Sequence, residues 1–424
     1  MNLYRYLTGP DDDSFCHRVT AEINKGWQLY DQPTLAYDQE KKGVICGQVI
    51  AKEAPGDYRP GIKLSGQLRN RFMTESKAGR GNFFEDFAVG QVLTHATPRT
   101  VTAGDVALYT GLYGPRFAVQ SSDEFAKAIG YPRAPVDDLL VFHTVFGKSV
   151  PDISLNAVAN LGYAECRFLK AVYPGHTLSV ASEVIGVREN SNRTSGVVYV
   201  RTQGRNQHGE PVLEFVRWVM VRKRDALSPA PAPVVPKLAE RVEPGALGQA
   251  LPEIDAGRYD CALAGSPHRW GDYAVGEKID HIDGVTLEEA EHQIATRLYQ
   301  NTAKVHFNQI EQAQGQFKRR LVYGGVVISL ARALSFNGLA NAFHVAAING
   351  GRHVAPCFGG DTVYAWSQVL ETGELAGRRD AGAMRVRLVA VKNRSCADFP
   401  LRNAAGEYAD GVILDLDLWL ILPR

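Results

Sequence analysis

Apolar positions along the chain follow two different rhythms. In DDLLVFHTVFGKSV (137–150) they fall on most sides, which predicts a buried helix with aspartates at its positive N-terminal end. VTAGDVALYTGLYG (101–114) has helical spacing behind a threonine cap. LSVASEVIGV, GVVYVRTQGRNQ and VLEFVRWVMVRKR are instead valine-rich and near-alternating, as strands are, and NQHGEP (206–211) predicts a hairpin turn between two of them. A buried helix followed by a long antiparallel meander predicts a curved sheet wrapped around that helix.

The pattern then repeats. FEDFAVGQ (84–91) matches WGDYAVGE (270–277) and LYG at 112 matches LYQ at 298, both at an offset of 186. VDDLLVFH (136–143) falls opposite YGGVVISL (323–330) at 187, and YPGHTLSV (173–180) opposite FGGDTVYA (358–365) at 185. Four matches in order, with offsets this close, predict a tandem duplication. The second copy ends in MRVRLVAVKNR and GVILDLDLWLILPR, joined by a longer loop (395–410).

Two seams separate the parts: a polar, basic, glycine-containing one at 65–82 and a Pro/Ala-rich one at 227–253 that suits an extended connector. The expected organisation is a small α+β domain at 1–64, a linker at 65–81, a first repeat at 82–226, a linker at 227–266 and a second repeat at 267–424. In the head, DDDSFCHRVTAEINKG reads as a capped amphipathic helix and GWQLYDQPTLAYD with GVICGQVIAKE as a hairpin.

Composition narrows the function classes. A chain of 424 residues suggests two to four domains, and 45% hydrophobic residues are ample for packed cores. With 47 Lys+Arg against 46 Asp+Glu there is no general field for a phosphate backbone, so nucleic acid is not an expected partner. Six isolated cysteines, none in a CxxC pair or at metal-ligand spacing, read as reduced thiols, and no metal is expected. The N-terminal stretch lacks a signal-peptide pattern and no run nears 18 apolar residues, so the expectation is a soluble cytoplasmic protein without a membrane partner. GxGxxG, GxxxxGK[ST] and HExxH are absent.

The duplicated helix-and-meander, the VGQ opening, the YPGHT/FGGDT turns and the NQHG hairpin together resemble the MaoC-like dehydratase family, over about 82–424. Runs such as GNFFEDFAVGQ, APVDDLLVFHTVFGKSVPDISLNAVANLGYAECRF and LYQNTAKVHFN are most similar to its mesaconyl-CoA hydratase (β-methylmalyl-CoA dehydratase) subfamily. The head, in LYRYLTGPDD and NKGWQLY, is similar to a small bacterial domain of unknown function. The resemblance implies an α+β fold: a tandem (double) hotdog, each half an antiparallel sheet around a central helix, plus a small N-terminal α+β domain. It implies a lyase that reversibly hydrates a CoA thioester, mesaconyl-CoA to β-methylmalyl-CoA, in C2/glyoxylate assimilation. Another enoyl-CoA hydratase, a hotdog thioesterase and a non-catalytic acyl-CoA-binding protein are the alternatives. The implied partner is an acyl-CoA substrate, the implied assembly a homodimer, and no cofactor is implied beyond the CoA of the substrate.

In that family the active segment reads Gly-Asp-x-Asn-Pro-[apolar]-His, and its Asp and His hold one water beside the β-carbon. In YGPRFAVQ (113–120) Pro115 and Gln120 stand at those two places, and neither can move a proton, so the first copy is expected to be catalytically empty. In LYQNTAKVHF (298–307) His306 matches the histidine, while Asn301 takes the aspartate place and can orient a water but not act as a base. Gly324 and Gly325, at the start of the second buried helix, match the turn whose backbone N–H faces the thioester carbonyl. The first copy has Asp137 and Asp138 there, which would repel an enolate-like oxygen.

A dicarboxylyl substrate calls for a cation, and Lys304, Arg319, Arg320 and Arg116 are candidates by proximity to the motif. Lys392, Arg394 and the basic run 222–224 are candidates for the CoA phosphates. Asp361 and His176 read as turn residues, His143 as a satisfied core histidine, and Cys357 as too far in sequence from a base to be a nucleophile. A thioesterase would need a carboxylate on the second buried helix, and none occurs between 324 and 336.

Overall fold

The structure, a computed structural model, describes residues 2–40, 42–53 and 77–424. Most of the expected 65–81 linker therefore lies outside the described residues. The chain divides into two units, Met1–Gly79 and Arg80–Arg424.

In the first unit the central strand β4 (Gly43–Glu53) pairs with β1 (Asn2–Pro10) on one side and with β2 (Gln28–Leu29) and β3 (Thr34–Asp38) on the other. Helix α1 (Asp13–Ile23) starts where Asp12 accepts the Ser14 amide at 2.9 Å. Its Phe15 packs with Leu3, Leu7, Trp27, Cys46 and Ile50. The expected helix and hairpin are present, and β1 adds a strand that alternates, Leu3 and Leu7 inward and Tyr4 and Tyr6 outward.

The second unit contains, in chain order, β5 (Val92–Thr100), α2 (Ala103–Tyr113), α3 (Asp138–Ile153), β6 (Ala157–Phe168), β7 (Thr177–Glu189), β8 (Ser195–Arg205) and β9 (Pro211–Arg222). The series recurs as β10 (Lys278–Thr286), α4 (Glu289–Leu298), α5 (Gly324–Leu334), β11 (His344–His353), β12 (Thr362–Glu374), β13 (Ala381–Lys392) and β14 (Val412–Pro423). All strands join one antiparallel sheet of ten, ordered β10-β12-β13-β14-β11-β6-β9-β8-β7-β5. Each half has the same internal order, and the halves meet where β6 pairs with β11, Cys166 opposite Ile348. Helices α3 and α5 are the two buried helices that the halves wrap, with Leu139–Val150 and Gly325–Leu334 buried almost without a break. This is the duplicated sheet-around-helix expected from the residues, and the double hotdog that the resemblance implies.

Matched hydrogen bonds confirm the duplication. His95 bonds Ser182 in the first half, and His281 bonds Ser367 in the second. Val136 N–H donates to Val172 O, and Val322 N–H to Cys357 O. Asp137 and Tyr323 are the corresponding helix caps. These pairs correct the offset at the central helix from 187 to 186, so Asp138 stands opposite Gly324 and Asp137 opposite Tyr323.

Equivalent residues also meet on the local two-fold. Tyr299 donates to Tyr113, hydroxyl to hydroxyl, at 2.9 Å, and His143 Nε2 lies 3.0 Å from Ser329 Oγ. Next to them Gly147 of α3 lies against the backbone of Tyr299–Asn301, where a methyl group would overlap the Tyr299 carbonyl oxygen. That carbonyl is backbone and cannot swing aside. Gly147→Ala is accordingly expected to cost about 3 kcal/mol and to displace the Asn301–His306 segment. Chemical denaturation together with a crystal structure of the variant checks this, and wild-type stability with an undisplaced segment would refute it.

Residues 227–266 are laid down on the sheet rather than spanning free solvent. Val234 exchanges both backbone hydrogen bonds with Val187, and Val242 accepts from the Trp419 indole while its N–H donates to Asn349.

Candidate active site

The chain reverses after α4 at Gln300, whose φ of 53° is left-handed. Lys148 of α3 secures the turn, donating to Gln300 Oε1 at 2.8 Å and to Thr97 Oγ1 at 3.1 Å. Asn301 follows, 3% exposed, with Oδ1 accepting the Ala303 amide at 3.0 Å. That leaves its NH2 as the uncommitted end. A single 3-10 turn, Lys304–His306, then turns the His306 ring inward and Lys304 outward. The turn is tied to the strand of chain before α5: Leu321 N–H donates to Val305 O at 3.1 Å, and His306 Nδ1 lies 2.9 Å from Leu321 O.

A carbonyl oxygen can only accept, so His306 Nδ1 carries the proton and Nε2 presents a lone pair. Burial pulls the His306 pKa down to about 4, against a smaller upward pull from the Leu321 carbonyl. The imidazole is thus a neutral, oriented acceptor at cellular pH.

His306 and Asn301 line a cavity of about 460 Å³ together with Tyr323, Gly324, His353 and Arg217. The volume is that of a small-molecule pocket. Tyr323 packs edge-on against His306, ring centroids 5.5 Å apart. Gly324 opens α5, and the N–H groups of a helix's first turn have no partner within it. A side chain at Gly324 would run into the His353 ring, which bonds Tyr163 OH through Nε2 at 3.1 Å. Gly325 does not line the cavity, because its α-carbon packs against the rings of His143 and Tyr323. Among the described residues lining the cavity none is Asp or Glu.

The equivalent place in the first half is filled. Gln120 donates to Phe343 O at 2.6 Å, and Asp138, opposite Gly324, pairs with His344 at 2.9 Å and accepts the Val345 amide at 2.8 Å. A void of only about 10 Å³ remains between Gln120, Val136, Asp138 and Val172.

None of the cations expected from the sequence lines this cavity. Lys304 is exposed and 3.6 Å from Glu311. Arg320 and Arg319 lie 2.9 and 3.6 Å from Glu289, drawn off the cavity by that carboxylate. Arg116 stacks on Phe336. Lys392 is committed to Asp361 at 3.1 Å and Pro356 O at 2.7 Å, and Arg394 to Asp398 at 2.5 Å. Arg224 of the basic run pairs with Asp86. Apart from Arg116, each of these residues has a carboxylate within 4 Å in another part of the fold or on the next turn. Cys357 does reach the cavity wall, but burial and Asp361 push its thiol up to about 12.

Sequence reasoning missed Arg217, Tyr163, His353 and Tyr323. Arg217 interrupts an otherwise apolar strand face at VLEFVRWVM, which was the available signal.

Residues 67–402 match the family described as Mesaconyl-CoA hydratase. The chain belongs to that family. Among the hydratase relatives is a β-methylmalyl-CoA dehydratase of Chloroflexus aurantiacus, 60% identical over 82% of this chain and 99% of its own. A mesaconyl-CoA hydratase of Cereibacter sphaeroides is also 60% identical, over 82% and 100%. A crystal structure of a MaoC domain protein dehydratase from Chloroflexus aurantiacus superposes with a TM-score of 0.80, at 60% identity, covering 82% of this chain and 99% of that one. The head of this hydratase-family chain, residues 1–53, matches a domain of unknown function, DUF1737. No helix among the described residues is long and apolar enough to cross a membrane.

Proposed function

We propose that the protein hydrates mesaconyl-CoA to β-methylmalyl-CoA and catalyses the reverse dehydration, with the second repeat carrying the chemistry. The observation that carries this reading is the His306 imidazole, fixed by Leu321 O so that its free Nε2 faces a cavity with the start of α5 in the same wall. Water held between His306 Nε2 and the Asn301 NH2 gives a proton to His306 as its oxygen bonds to C3. The C2–C3 π pair moves toward the thioester, whose oxygen is met by the Gly324 amide and the helix dipole. His306 returns the proton to C2, so the sum is the addition of one water. The thioester itself acidifies the C2 proton, so the reaction needs no cofactor beyond CoA. Among the described residues the cavity wall holds no carboxylate, which speaks against thioester hydrolysis by a carboxylate-activated water.

The reading places the enzyme in the cytoplasm as a homodimer, for which β5 and β10 supply open sheet edges. The test is the absorbance of the conjugated thioester after adding mesaconyl-CoA. Loss of conjugation with appearance of β-methylmalyl-CoA is expected. Tight binding with no spectral change would overturn the hydratase reading.

A further inference from the structure

One cavity-lining group has no part in that chemistry. Arg217, in β9, is fully buried. Its Cζ sits 4.2 Å from the centre of the Phe146 ring, and its Nη atoms donate to Ser149 Oγ at 2.8 Å and Ser154 Oγ at 3.3 Å. Its Nε is buried without any partner. Among the described residues no carboxylate pairs with it, in contrast to the arginines of the surface networks. Burial draws its pKa down only to about 10, so it remains a cation at neutral pH. A buried guanidinium without a counter-ion costs several kcal/mol, a cost that an anion entering the cavity would offset.

A second group next to it is equally unfinished. In the β6–β9 pairing Tyr163 stands opposite Arg217 and Asn160 opposite Val219, so Asn160 borders Arg217 on the sheet. Asn160 lines the same cavity, and both atoms of its amide are buried without a partner. Buried polar groups are almost always satisfied, so unmet atoms on two adjacent residues mark a place for a polar ligand. Arg217 offers positive charge and N–H donors, and Asn160 adds an NH2. The complement is a planar, acceptor-only anion, which a carboxylate is.

We propose that Arg217 and Asn160 form a subsite for the free carboxylate of the acyl group, selecting dicarboxylyl thioesters over neutral acyl chains. The proposal rests on the hydratase reading for the identity of that acyl group. Mesaconyl-CoA carries its carboxylate on C3, the carbon that receives the hydroxyl, so this subsite also fixes which carbon lies against the His306 water.

The experiment compares binding of two non-reacting ligands that differ only in that group: 2-methylsuccinyl-1-CoA, with the carboxylate, and 2-methylbutyryl-CoA, with a methyl in its place. Competition against a fluorescent CoA thioester yields the preference for the first over the second in wild type, Arg217→Gln and Asn160→Asp. Wild type is expected to favour the carboxylate at least 30-fold, and Arg217→Gln to abolish the preference. Asn160→Asp supplies Arg217 with a carboxylate of its own. It is expected to fold at least as stably as wild type and to lose the preference as well, which decides the matter should Arg217→Gln not fold. An unchanged preference in the variants, or equal weakening of both ligands, would overturn the subsite. Mesaconyl-CoA turnover by a wild type with no preference would also overturn it, while leaving the hydratase reading intact. A strong preference without turnover of mesaconyl-CoA would do the reverse, supporting the subsite and removing the hydratase reading.

Discussion

His306→Ala is expected to lower kcat for mesaconyl-CoA hydration by at least 100-fold, about 2.7 kcal/mol of barrier, in a protein that still folds. The variant removes the one imidazole that combines an Nδ1–H fixed by a backbone carbonyl with an Nε2 facing the cavity. His306→Gln separates packing from chemistry, since its amide can still donate to Leu321 O but cannot accept a proton from water. Both variants should therefore lose activity alike, as measured by stopped-flow absorbance. Turnover within a few-fold of wild type in either would remove His306 from the mechanism. The pH profile gives a second reading of the same group. A base must be unprotonated, and with its pKa near 4 His306 is unprotonated throughout the neutral range. The rate should stay level as pH falls from 8 through 6.5, where an ordinary histidine would already be titrating, and decline only toward pH 4–5.

Acid should also unfold the protein steeply. Burial lowers His143 to about 3, and His281, His306 and His353 to about 4, against about 6.5 in an unfolded chain. Between these values the unfolded chain binds protons that the folded one refuses, so stability falls as pH falls. Asp137 acts in the opposite sense. Burial and the neighbouring Asp138 raise it to about 6, so in the folded state it takes up a proton earlier than the unfolded chain does. The net difference of about three protons corresponds to a loss of about 4 kcal/mol per pH unit from about pH 6 to pH 4. Urea denaturation at pH 7, 6, 5 and 4.5 tests this, and a flat stability across that range would contradict the burial of these histidines.

The fold was legible because both of its determinants are local or repetitive. The all-round apolarity of 137–150 has one solution, a helix that is covered on every side, and valine-rich alternation has one partner for it. Repetition then carried the assignment across to α5, which is shorter and contains Ser329 and Arg332. The first strand, β1, went unread because it lies far in sequence from β4, with which it pairs. The residues of the His306 segment stood out because their place in the repeat could be compared with Pro115 and Gln120. Arg217, Asn160 and His353 could not be found that way, since they come from β9, β6 and β11, and what joins them is cross-strand pairing at the seam between the halves. The same distance explains the misplaced cations. Arg320 is near His306 along the chain, but in space it is paired with Glu289 on α4.

Asp138 and Gly324 occupy equivalent places, one sealing its pocket against His344 and the other leaving its pocket open. Two identical subunits could not make that choice, because one codon would set both positions and a carboxylate that plugged one pocket would plug its mirror image. Joining the copies in one chain separates the two fates. The first copy is free to acquire residues that only brace its neighbour, such as Lys148 and Gly147 behind the Gln300 turn, and the second is free to keep those that only a working cavity requires.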